Sequence, residues 1–187
     1  MLLVSAAPIF GVKLIAVIQR IFTWLGRPLL VDAENWMAHA GAAKTMLNIF
    51  RHRRTPQYFV MLSGDVHYSL VYDIELRGRA HGPDIRQICS SGIRNAFPTR
   101  LLDWLDRADR WQFSPRSPLN LLTRRRRRTR VIPRKPEGTP HGRRLQNGSG
   151  ISLVELDDEG RPWRIRELLA EGGQCEFTRR EDESRWL

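Results

Sequence analysis

The stretch Tyr58 to Leu62, "YFVML", is apolar at every position, where a strand with one wet face would alternate. Such a run has to be covered on both sides, and that demand excludes most folds an isolated hairpin or a one-sided sheet could build. The next run, Ser69 to Leu76, reads as a second strand ending at Arg77-Gly78, and "DIRQICSSG" as a third, alternating Ile85, Gln87, Cys89 before the turn-forming Ser90-Ser91-Gly92. Helical spacing flanks these strands. Ala42, Ala43, Met46, Leu47 and Phe50 fall on one face of a helix closed by Thr55-Pro56. In "TRLLDWLDRADRW", Leu101, Leu102, Leu105 and Ala108 turn inward. Strands separated by helices imply a layered α/β protein.

The chain's opening reads as a buried strand over Leu2 to Ala6 followed by an amphipathic helix. Ser5-Ala6-Ala7 imitates a cleavage site, but no basic residue precedes the apolar run, and Lys13 and Arg20 break it well short of a membrane span. A covered strand at residue 2 needs neighbours on both sides, which raises the expectation of a segment lying upstream. Near the other end, "GISLVELDDEGRPWRIRELLA" is two strands around Asp157 to Gly160, a hairpin. No internal repeat is visible.

Composition matters in two places. With 187 residues, 41% of them apolar and six of them Trp, the chain has the material for a core. The net charge of +11 is local, because residues 124 to 144 hold ten Arg or Lys against Glu137 alone, leaving +2 elsewhere. "TRRRRRTRVIPRK" carries no aromatic side chains to stack on bases, and its prolines oppose a recognition helix, so a dedicated nucleic-acid role is disfavoured. Binding to nucleic-acid phosphates or to an acidic membrane through this tract is the rival reading. Cys89 and Cys175 make neither a disulfide framework nor a CxxC pattern and read as buried thiols.

"SGDVHYS", residues 63 to 69, places Asp65 and His67 two positions apart where the covered strand ends. In extended chain, i and i+2 project to one side, and the carboxyl edge of an open α/β sheet is where ligands bind. A carboxylate with a neutral imidazole suits a divalent or trivalent metal ion. An ordinary strand end, with Asp65 capping a turn, is the other reading of the same letters. His39 and His52 read as helix-surface residues and His141 as part of the basic stretch, with no ligand role.

Taken with "QICSSGIRN" downstream and "DAENW" upstream, the segment resembles the C-terminal third of the PhoD-like alkaline phosphatases of the metallophosphoesterase superfamily. The resemblance covers roughly residues 1 to 110 and 145 to 177. It implies a partial metallophosphoesterase-type layered sandwich, a mixed sheet with flanking helices, truncated at the N-terminus and closed by a C-terminal β-hairpin. Residues 1–113 would form the C-terminal part of the phosphatase domain, 114–149 an Arg/Pro-rich flexible insertion, 150–178 a hairpin packed on the same domain, and 179–187 a charged tail. Carried over by position, His67 and Asp65 are the metal ligands. Ser90, Ser91, Asn35, Trp36, Glu34 and Asn95 fall in the cleft, although Ser90 and Ser91 serve equally to close a turn and Trp36 to fill core.

The implied activity is that of a phosphoric ester hydrolase in which metal-activated water attacks phosphorus in a small phosphoester substrate. The family uses iron with calcium; zinc and manganese are further candidates. Its members are often exported, and no transmembrane segment is expected here. A dinuclear centre takes on the order of six protein ligands, and the superfamily's early Asp-x-His and Asn-His or Asp-Asp-His type segments are not found in this chain. The expectation is therefore a fragment lacking upstream ligands and inactive by itself, or a remnant that has given up the chemistry.

Overall fold

A computed structural model of the chain describes residues 1–11, 40–64, 66–76, 82–92, 98–113, 129–139 and 143–179. Strand β1 (Leu2–Ser5) comes first, then helix α1 (Ala40–Arg51). Strands β2 (Tyr58–Ser63), β3 (Leu70–Leu76) and β4 (Asp84–Cys89) lead to helix α2 (Thr99–Phe113). The remainder is β5 (Thr129–Pro133), β6 (Lys135–Pro136), β7 (Gly150–Leu156), β8 (Pro162–Leu169) and β9 (Gln174–Thr178). The protein is thus mixed α/β, with more strand than helix among the described residues. A five-stranded sheet runs β1-β2-β4-β3-β5, and a four-stranded antiparallel sheet runs β6-β9-β8-β7. In the first, β1, β2 and β4 are parallel, while β3 and β5 are antiparallel to their neighbours.

Strand parity decides what each face of the five-stranded sheet meets. Phe59, Met61, Leu70, Tyr72, Ile74, Ile85 and Cys89 share a buried cluster with Met46 and Phe50 of α1 and Leu102 of α2. The alternate residues Val60, Leu62, Val71 and Ile88 cluster instead with Val154, Ile165 and Phe177 of the second sheet. The uninterrupted apolar run of β2 is the sequence's record of this double cover. On the helix side, the buried Gln87 fixes the segment after β1, its carboxamide accepting from Phe10 N at 2.8 Å and donating to Phe10 O at 2.7 Å. Phe50 packs edge-on against Phe59, with ring centroids 5.3 Å apart.

Toward the amino end of β4 the seam between the sheets is ionic. Arg86 and Asp73 pair across β4 and β3, both buried, with Nε 3.7 Å from Oδ1. Arg134, just beyond β5, donates through Nε to Asp73 Oδ1 at 3.0 Å, and Arg86 also holds Asp84 at 3.0 Å and the carbonyl of Pro162. The network is closed within the fold, as buried charge requires.

Three expectations need correction. β1 is not covered: among the described residues it is an edge strand that pairs with β2 alone, and Leu2 and Val4 are 60% and 74% exposed. Leu101 faces outward at 47% exposure, because α2 buries the turn carrying Leu102, with Leu105 and Ala108 partly covered. Part of the Arg/Pro-rich stretch is built into the fold. Residues 129–136 supply β5 and β6, and Ile132 and Leu145 are buried. The arginines there are matched by acids on neighbouring elements. Arg130 meets Glu75 at 3.3 Å, Arg143 Nε donates to Asp103 at 2.9 Å, and Arg144 Nε donates to Asp106 at 2.8 Å. The terminal hairpin is present as β7 and β8, its turn capped by Asp157 Oδ1, which accepts from Arg161 N at 2.8 Å, with Gly160 at φ 77°. A third strand, β9, extends it. The helix expected after β1 lies outside the described residues.

Removing one member of the ionic seam should cost far more than a surface pair. Asp73→Ala removes the carboxylate that Arg86 and Arg134 share, leaving Arg86 with Asp84 alone, and the urea-unfolding free energy should fall by about 3–5 kcal/mol. An Asp73→Leu/Arg86→Met double variant should regain part of that loss.

Candidate functional site

The carboxyl ends of the parallel strands converge. Gly64, one residue past β2, donates through its amide to Ala6 O beyond β1 at 3.2 Å, and Ser90, one residue past β4, donates through its amide to Ser63 O at 3.1 Å. A Cβ on Gly64 would sit 3.8 Å from Ser90 O, so the two exits lie side by side. His67 is exposed in the short passage from β2 to β3, three residues before Leu70. Asp65, Glu34, Asn35, Trp36 and Asn95 lie outside the described residues. Among the described residues no group of three or more His, Cys, Asp or Glu stands ready to hold a metal ion. His52 is exposed, as expected of a helix-surface residue, and both cysteines are free and buried.

The serine pair is engaged in the fold, Ser90 across the seam between sheets. Ser90 Oγ donates to Gly150 O at 3.1 Å and accepts from Ser152 N at 3.2 Å, tying the end of β4 to β7. The buried Ser91 donates its amide to Ser69 Oγ at 2.8 Å. Ser69, itself fully buried, joins residue 146 in an antiparallel bridge and donates through its hydroxyl to Glu167 Oε1 at 2.5 Å.

Glu167 was not legible as a site residue from spacing to the Asp65–His67 pair, yet it is the most perturbed carboxyl among the described residues. It has no exposed surface, and burial pushes it up to about 7, with the Ser69 hydroxyl pulling the other way. Oε2 has no hydrogen-bond partner among the described residues. Register explains the setting. On β7, β8 and β9 the row Val154, Ile165, Phe177 is apolar, and the next row outward is Ser152, Glu167, Cys175. This polar row meets Ser69, Ser90 and Ser91, all at the end of the seam where β2 and β4 emerge. The available signal was period two: in "RIRELL", Glu167 takes an inward place between Ile165 and Leu169.

The two described cavities lie elsewhere. One of about 430 Å³ is lined by Met1, Asn48, Ile49, His52 and Phe59, at the amino end of β2 and the end of α1. The other, about 290 Å³, lies between the β1–β2 pair and β7, lined by Leu2, Val60, Leu62, Val154 and Leu156. No described helix is long and apolar enough to cross a membrane. Comparison with protein-family models, with curated proteins and with solved structures gives no match.

Gly150 is the tightest point of the polar row. A Cβ there would lie 2.6 Å from Glu167 Oε1 and 2.9 Å from the backbone oxygen of Leu168. Gly150→Ala should therefore destabilise the fold by about 1–3 kcal/mol. In a double-mutant cycle with Glu167→Ala the penalty should shrink, though the Leu168 oxygen keeps it above zero.

Proposed function

We propose that this chain carries part of a metal-dependent phosphoester hydrolase site, with His67 and Asp65 as ligands to a divalent or trivalent ion that activates water for attack on phosphorus. The observation that carries this reading is the exit of the Gly-Asp-Val-His segment from β2 beside the end of β4, with His67 open to solvent. In sheets of this kind that edge is where ligands bind, since strand ends leave backbone and side chains free to converge. The resemblance of "SGDVHYS", "QICSSGIRN" and "DAENW" to PhoD-like phosphatases supplies the chemistry. Its fold counterpart is a metallophosphoesterase-type layered sandwich, for which the sharing of the five-stranded sheet between helices and a second sheet is the supporting feature.

Ser90 and Ser91 then act at the rim by fixing the two strand exits, the Ser90 hydroxyl and the Ser91 amide being already engaged there. Anion binding through the basic tract is the alternative; of its described arginines, Arg130, Arg134, Arg143 and Arg144 are each held by an acid of the fold, so it would rest on residues 124–128, which lie outside the described residues. Two side-chain ligands do not fix a metal's geometry. Family metals are iron and calcium, with manganese the practical probe.

Titration of the purified chain with Mn²⁺, followed by water-proton relaxation, should reveal weak binding that falls on the order of tenfold or more in His67→Ala and in Asp65→Asn. Equal affinity in all three proteins would overturn the ligand assignment. Hydrolysis of p-nitrophenyl phosphate by the chain alone should match that of His67→Ala, and robust metal-dependent turnover would refute the view that this chain holds only part of the centre.

A further inference from the structure

We propose that Glu167 is a proton-operated latch, a positioning residue that holds the two strand exits of the candidate site to the second sheet through Ser69. The path is short and continuous. Ser91 N–H donates to Ser69 Oγ at 2.8 Å, and Ser69 Oγ–H donates to Glu167 Oε1 at 2.5 Å. One side chain on β8 thereby fixes the residue after Ser90 and the residue that closes the passage bearing His67. The inference concerns the hold on these segments and stands whether or not they take a metal ion.

The surroundings make the latch sensitive to its proton. Opposite Glu167 on β9 is the Cys175 thiol, pushed up to about 11 by burial first and by the Glu167 charge second, so it stays neutral. Opposite on β7 is Ser152, whose Oγ, like Glu167 Oε2, has no partner among the described residues. Gly150 closes the space beside Oε1. The turn after β6 brings Glu137, which adds negative charge near Cys175. Among the described residues, the strand exits offer the hydroxyls and amides of Ser69, Ser90 and Ser91, with His67 exposed beyond them. On β8 itself, Arg164 and Arg166 are engaged by Glu176 and by Glu155. Among the described residues, then, no cation is paired with Glu167, and a negative charge there has to draw in water by parting the row.

The sign follows from the direction of the shift. The folded carboxyl sits at about 7, above its ordinary value of 4.5. Its contribution to stability is complete below 4.5 and is lost as pH rises through about 7. Between about 4.5 and about 7, opening of the latch should become easier by at most roughly tenfold per pH unit, levelling off above neutrality once the folded carboxyl is itself ionised.

Hydrogen exchange on the full chain, corrected for base catalysis, tests this at the Ser69 and Ser91 amides. Wild-type protection should drop between pH 6 and 8.5, by at most roughly tenfold and mostly below pH 7.5. Glu167→Gln, which keeps the acceptor and cannot ionise, should hold protection flat, and Glu167→Ala should lack it at both ends of the range. Wild-type protection that does not change with pH would overturn the proposal. Should the variants fail to fold, the ¹³C titration of the wild-type Glu167 carboxyl decides: a midpoint near neutrality supports the latch, and one in the ordinary carboxylate range refutes it. Loss of Mn²⁺ binding alone, with the exchange pattern intact, counts against the metal reading and not against the latch.

Discussion

Everything in this molecule turns on a single sheet being covered on both faces. β2, β4 and β3 give one set of alternate side chains to the helices and the other set to the antiparallel sheet, so a one-residue slip would exchange the two cores. Hydrophobic burial supplies the drive, and strand parity tells each side chain which partner it has. The buried ionic group Asp73–Arg86–Arg134 limits such a slip further, since its charges find partners in one register only.

Between the sheets the chemistry is graded. Ions stand at one end, hydrocarbon in the middle, and hydroxyls with a carboxyl at the other. The graded end coincides with the place where parallel strands finish, and there the backbone runs out of neighbours. Hydrogen-bonded side chains take over the work that ladder bonds do elsewhere, with Ser90 bridging to β7 and Ser69 to β8. A polar seam of this kind keeps short loops in place while leaving His67 open to solvent.

Much of the fold was legible in the residues. The continuous apolar run of β2, the alternation of β4, the spacing of Met46 and Phe50, and the Asp157–Gly160 turn each carry a local signal strong enough to stand alone. The misreadings have a common cause, which is that neighbours are not written in local pattern. Leu2 and Val4 look like core because hydrocarbon does not announce that a strand lies at an edge. Arg130, Arg143 and Arg144 look like a solvated tract because their acids sit on β3 and α2, 55, 40 and 38 residues away. Of the candidate site, His67 and the serine pair were visible. Glu167 was hidden because its meaning depends on Ser69, 98 positions earlier in the chain.

The bare outer side of β1 has a consequence for handling the protein. Among the described residues nothing pairs with the outer row of amides and carbonyls of Leu-Leu-Val-Ser, the strand holds no lysine or proline to discourage a visiting strand, and its exposed Leu2 and Val4 reward any that arrives. A charged residue in place of Val4 is the simplest gatekeeper for this rim.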